Sequence, residues 1–129
     1  MACTSTPDQR VTETYYEYYA KDFPLLARPA WGYTVETATQ AIRLVLSGLF
    51  EKHSKLKIIL GHLGETLPFL SWRVDSALRR PGGKDLDFRG IFSNNIWITT
   101  SGFFSDPALL CCMMEMGVGR ILFAVDWPF

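Results

Sequence analysis

Three short apolar runs in this chain each end on a polar, reactive group. Lys57-Ile58-Ile59-Leu60-Gly61 leads into His62 and then Glu65. Ile96-Trp97-Ile98-Thr99-Thr100 leads into Ser101 and Gly102, and Arg120-Ile121-Leu122-Phe123-Ala124-Val125 leads into Asp126. Histidine titrates near neutral pH, as an acid–base group must. Glu65, three residues further on, could orient the imidazole or hold its proton. A carboxylate at the end of a buried strand is costly unless a cation or a metal ion meets it, so Asp126 is a candidate metal ligand. Each residue also has a plainer reading. His62 could be a buried histidine bonded to a backbone carbonyl. Glu65 could be a first-turn helix residue favoured by the helix dipole. Asp126 could be a helix cap, although no helical pattern follows it.

The segments between these runs indicate what positions them. Apolar residues at Val35, Ala38, Ala41, Ile42, Val45, Leu46, Leu49 and Phe50 keep helical spacing. They predict a helix from Val35 to Phe50, with Thr34 as its cap. A second helix is expected from Leu67 to Arg80, with Thr66 as cap, Pro68 in the first turn and Pro81-Gly82-Gly83 as its stop. A polar loop is expected to follow, as far as Ser93. A third helix is expected to begin at Asp106 as cap, with Pro107 first, and to end at Gly117. Residues 1–33, with four clustered tyrosines followed by Pro24 and Pro29, read as an irregular lead-in, a long loop laid over a scaffold with room for one helical turn. Residues 34–129 then alternate helix and strand three times, which implies parallel strands with right-handed crossovers.

The fold class expected is α/β, a partial (β/α)8 barrel with about three parallel strands and three helices, since a closed barrel needs about 250 residues. A doubly wound nucleotide domain is disfavoured because Gly61-His62-Leu63-Gly64 is too short for its glycine fingerprint. Barrel chemistry sits at the carboxyl ends of the strands, where His62, Glu65 and Asp126 lie. Two strand spacings separate the first and third runs by about 9.6 Å, so His62 and Asp126 could reach one small substrate. The opposite rim carries His53, Lys55, Asn94, Asn95 and Arg120, read as solvated. Met113, Met114 and Met116 read as core filler.

The 129 residues contain 13 basic and 13 acidic side chains, 48% hydrophobic and 20% charged residues. That balance gives no reason to expect nucleic acid or an anionic membrane as partner. No signal-like or membrane-spanning apolar run is present, and three cysteines in no metal or disulfide spacing fit a reducing, cytoplasmic setting.

Taken together, several motifs resemble the amidohydrolase-related family of metal-dependent decarboxylases, which includes γ-resorcylate, dihydroxybenzoate, salicylate and aminocarboxymuconate-semialdehyde decarboxylases. They are Gly61-His62-Leu63-Gly64-Glu65, Leu67-Pro68-Phe69, Trp72-Arg73, Ile98-Thr99-Thr100-Ser101-Gly102 and the run from Arg120 to Phe129. Trp31-Gly32-Tyr33 and Glu36-Thr37-Ala38 resemble the aromatic-acid branch. The resemblance implies a distorted barrel in a homo-oligomer, acting on a small aromatic acid. It implies one divalent metal ion (zinc, manganese or magnesium), with Asp126 as a ligand. It further implies His62 as the active-site histidine, Glu65 as its acidic neighbour, Phe129 lining the substrate pocket and Arg73 near these acids.

The family's other metal ligands, a paired motif on the first strand and a histidine on the fifth, have no counterpart here. The expectation is therefore a C-terminal fragment covering roughly the sixth to eighth strands, with little activity alone. A metal-dependent hydrolase of the same superfamily and a non-catalytic truncated remnant are the alternatives.

Overall fold

The computed structural model describes residues 6–128. The expected α/β alternation is present, as three parallel strands in the order β1-β2-β3. The strands are β1 (Ile58–Leu60), β2 (Ile96–Thr99) and β3 (Ile121–Leu122), shorter than the apolar runs that announced them. Ile58 stands opposite Ile96, and Ile98 opposite both Leu60 and Ile121. Beyond its two strand residues, β3 stays tied to β2 through Thr100, whose hydroxyl donates to the Ala124 carbonyl at 2.8 Å.

The lead-in is more ordered than its sequence indicated. A short α1 (Gln9–Val11), capped by Asp8, runs into wide and tight helical turns through Tyr19. A second wide turn spans Leu26–Ala30 and carries Pro29. Helix α2 covers Gly32–Leu46 and stops at Gly48, whose φ of +74° breaks the run before α3 (Leu49–Lys52). The expected single helix to Phe50 is thus two helices. Trp31, not Thr34, is the residue before the first turn. Helix α4 covers Leu67–Leu78, with Pro68 at its start.

The expected polar loop contains a helix. Its α5 (Phe88–Asn95) is capped by Asp87, whose carboxylate accepts from the Gly90 N–H at 3.0 Å. Phe88 and Phe92 lie one helical turn apart and stack at 5.8 Å between centroids. Phe88 is 0% exposed. With Ile96, Ile98, Leu63, Leu67 and Val45 they make the centre of the core. Helix α6 (Asp106–Met116) begins one residue earlier than expected, with Ser105 before it, and ends at Gly117. It packs on α4, and α4 also packs on α5. Ser71 of α4 and Arg89 of α5 both donate to the Glu115 carboxylate of α6, which ties the three helices together.

Two burial expectations fail. The run before Asp126 is not a fully buried strand, for Phe123 is 84% exposed and Leu122 and Val125 are also exposed. The cause is position: β3 is the outer strand of the described sheet and pairs only with β2. Of the three methionines, Met116 alone is buried, whereas Met113 and Met114 face outward. Asn95 is not a solvated rim residue either. It is buried, and its amide donates to the Ser54 and Leu56 carbonyls, closing the turn that feeds β1. Among the described residues, no helix is long and apolar enough to cross a membrane.

Candidate active site

His62 and Glu65 come from one left-handed turn at the carboxyl end of β1. His62, Leu63, Gly64 and Glu65 have φ of +51°, +53°, +70° and +58°. Backbone bonds from Gly64 to Gly61 and from Glu65 to His62 close the turn. Non-glycine residues held at such sparsely populated φ/ψ values cost on the order of 1–3 kcal/mol each. Strain of that kind collects where a fold holds side chains for function. The turn brings His62 Nδ1 to 2.8 Å from Glu65 Oε1. An added Cβ at Gly64 would meet Ile98 Cγ2 at 2.8 Å, so that glycine makes room for the sheet.

Asp126 arrives from the third run, also with a positive φ of +59°. Its Oδ2 lies 3.5 Å from His62 Nε2. The imidazole therefore sits between two carboxylates, one on each ring nitrogen. Gly102, in the loop after β2, lets them meet. A Cβ there would lie 2.8 Å from Asp126 Oδ2 and 2.9 Å from His62 Cδ2. Buried Ser101 accepts from the His62 backbone N–H at 3.4 Å and bonds the Thr99 hydroxyl at 2.6 Å, joining the ends of β1 and β2.

Glu65 is the best enclosed of the three, its side chain only 5% exposed against 20% for His62 and 30% for Asp126. Its Oε1 accepts from the His62 ring, and its Oε2 accepts from the Thr34 hydroxyl at 2.7 Å. Thr34 was read from sequence as a helix cap, and no local pattern indicates a bond across 31 residues. The Glu65 hydrogen bond is the main cause that raises the His62 pKa above its ordinary value. Partial burial opposes the rise, while the charges of Glu65 and Asp126 add to it. Holding Nδ1 on Glu65 fixes the ring orientation and leaves Nε2 beside Asp126.

These three groups open on a cavity of about 950 Å³. Its other walls include Arg28, Trp31, Tyr33, Thr34 and Phe103. Trp31 and Tyr33 stood out only through the resemblance; that residues 25–34 form a wall was not legible, because an aromatic- and proline-rich stretch carries no periodic signal. Arg73 is not part of this cavity. It lies exposed on α4. Phe129 and Cys3 lie outside the described residues. Among the described residues, no group of three or more His, Cys, Asp or Glu side chains is placed to hold a metal ion. Asp126 offers one carboxylate, with an oxygen already beside His62, and a metal site usually needs three or four protein ligands. On their own, the described residues do not fit a divalent ion.

Comparison with known proteins bears on the family and the fold. The γ-resorcylate decarboxylase of Rhizobium sp. (strain MTP-10005) is 44% identical over 113 residues, covering 82% of this chain and 34% of that protein. A crystal structure of 2,6-dihydroxybenzoate decarboxylase complexed with 2,6-dihydroxybenzoate superposes with a TM-score of 0.82 at 39% identity, covering 98% of this chain and 39% of that one. A dihydroxybenzoic acid decarboxylase from Polaromonas sp. JS666, with bound manganese and the inhibitor 2-nitroresorcinol, gives 0.83 at 38% identity, covering 96% and 37%. The chain spans about a third of the length of the curated relatives it matches. The amidohydrolase family model matches residues 3–129, and the chain belongs to that family.

Proposed function

We propose that the protein carrying this chain is a non-oxidative decarboxylase of hydroxylated aromatic carboxylic acids. One observation carries the reading: an imidazole held between two carboxylates at the carboxyl rim of parallel strands, open to an aromatic-walled cavity. The likeness to γ-resorcylate and dihydroxybenzoate decarboxylases supports it.

Direct loss of carbon dioxide would leave an unstable aryl carbanion. Protonation of the ring carbon that bears the carboxylate avoids this. The C–C bond then breaks, its electron pair restores the aromatic ring, and carbon dioxide leaves. The net change replaces the carboxylate with a hydrogen, and no oxidant or reductant is consumed. His62 is suited to hold that proton, since Glu65 favours its charged form. Asp126, 3.5 Å from Nε2, can take the proton and present it to the ring. A ring hydroxyl ortho to the carboxylate raises electron density at the carbon to be protonated.

A divalent cation of the manganese kind is part of the proposal, with Asp126 as one ligand and the others supplied from outside these residues. Such an ion would neutralise carboxylate and phenolate charge. No proton step above runs through it. Residues 1–129 would form one partial barrel domain. A homo-oligomer is also proposed, supported by the exposed Phe69 and Trp72 on α4. A cytoplasmic setting is supported by the free thiols of Cys111 and Cys112.

The test is product analysis with 2,6-dihydroxybenzoate. Equimolar carbon dioxide and resorcinol are expected, both lost in His62→Asn. Turnover of a lactone or amide without carbon dioxide would instead favour a hydrolase.

A further inference from the structure

The cavity described above contains one charge that the proton chemistry does not use. Arg28 is the one arginine or lysine among the described residues that line it. The same walls carry the carboxylates of Glu65 and Asp126. Glu65 is already committed to His62 and Thr34, and Asp126 to His62. Arg28 is different: among the described residues, no carboxylate pairs with it.

Its backbone is fixed even so. The Arg28 N–H donates to the Leu25 carbonyl at 3.1 Å, and the Ala30 N–H reaches the same carbonyl at 3.1 Å. Arg28 has φ −119° and ψ −127°, outside the helical range of its neighbours, and Pro29 restricts it further. The turn therefore places Arg28 on the cavity wall that Trp31 and Tyr33 also line.

An aromatic acid entering this cavity as an anion meets two carboxylates. Without a cation, that encounter is repulsive. A guanidinium matches a carboxylate with two parallel N–H donors, and it also stacks on aromatic faces. We propose that Arg28 is a specificity-determining residue that binds the carboxylate of the incoming aromatic acid and selects it over the uncharged phenol. The proposal rests on the decarboxylase reading. It also implies a direction: once the carboxylate has left as carbon dioxide, Arg28 has nothing to hold, and the neutral product is released.

The test compares two probes of the same ring, 2,6-dihydroxybenzoate and resorcinol. Their binding to the full protein is measured by calorimetry for wild type, Arg28→Gln and Arg28→Lys. Wild type is expected to prefer the acid. Arg28→Gln should weaken acid binding about tenfold, the loss expected when a charge-assisted contact at a partly exposed site is removed. Resorcinol binding should change less than about twofold, since a neutral ring makes no such contact. Arg28→Lys should fall between wild type and Arg28→Gln.

Equal acid binding by wild type and Arg28→Gln overturns the Arg28 assignment and leaves the decarboxylase reading standing. Equal losses for both probes also overturn it, because Arg28 would then only shape the loop. If wild type binds neither probe, the decarboxylase reading fails, and the Arg28 proposal fails with it.

Discussion

Replacing Thr34 with valine should weaken the site without changing its shape. The hydroxyl of Thr34 is the donor to Glu65 Oε2, and the His62 ring serves Oε1. Valine keeps the branched shape at nearly the same volume and removes the donor. A hydrogen bond to a charged group is worth about 1.5–3 kcal/mol. Thr34 is only half buried, so water can replace part of the loss, and about 2 kcal/mol is the expected cost. With a urea m-value of about 2 kcal/mol/M, the unfolding midpoint should fall by about 1 M at unchanged slope. Thr34→Ser keeps the donor and should stay within about 0.5 kcal/mol of wild type. The decisive assay is a double-mutant cycle with Glu65→Gln, followed by tryptophan fluorescence in urea. A coupling energy above about 1 kcal/mol is expected, because the two groups share one bond. Additivity within about 0.5 kcal/mol would refute the claim that Thr34 supports Glu65.

Three further outcomes rest on the same structure. Phe88→Ala removes a fully buried ring that stacks on Phe92. It should cost about 3–5 kcal/mol, seen in calorimetry as a melting temperature lower by about 10 °C or more. Gly102→Ala would place a methyl group against both Asp126 and His62 at a φ of +62°. A crystal structure of that variant should show the two side chains farther apart, and an unchanged 3.5 Å contact would contradict the role given to Gly102. Burial pushes the Cys112 thiol up to about 11, and neighbouring Cys111 adds to the rise. At pH 8 iodoacetamide should therefore label Cys112 at least about a hundredfold more slowly in the folded chain than in urea, as peptide mass mapping would show.

Much of the framework was legible because it rests on repeating patterns. The runs at Ile58–Leu60 and Ile96–Thr99 were found from apolar, β-branched residues, and α4 and α6 from helical spacing with proline and glycine at their ends. Helix α5 was not found, since its apolar residues are few and lie among Asp87, Arg89, Ser93, Asn94 and Asn95. Its burial depends on what packs against Phe88 and Phe92, which no local window contains. The break at Gly48 was hidden for the opposite reason: the hydrophobic stripe continues past it into Phe50.

At the site, the strand-end rule located His62, Glu65 and Asp126 because topology alone decides which rim they share. The left-handed turn that aims His62 and Glu65 was not legible. Positive φ usually announces itself through glycine, and here three of the four residues carry side chains. The bond from Thr34 to Glu65 was not legible because it forms only when the start of α2 meets the strand ends.

The arrangement of His62 between Glu65 and Asp126 is tested most directly by long-range 1H–15N spectra of the histidine rings, with exposed His53 as internal reference. His62 should carry a proton on Nδ1 bonded to Glu65. Its signals should differ from those of His53 and move in both Glu65→Gln and Asp126→Asn. A His62 spectrum that matches His53 and ignores both substitutions would contradict the site, and the chemistry proposed for it would lose its basis.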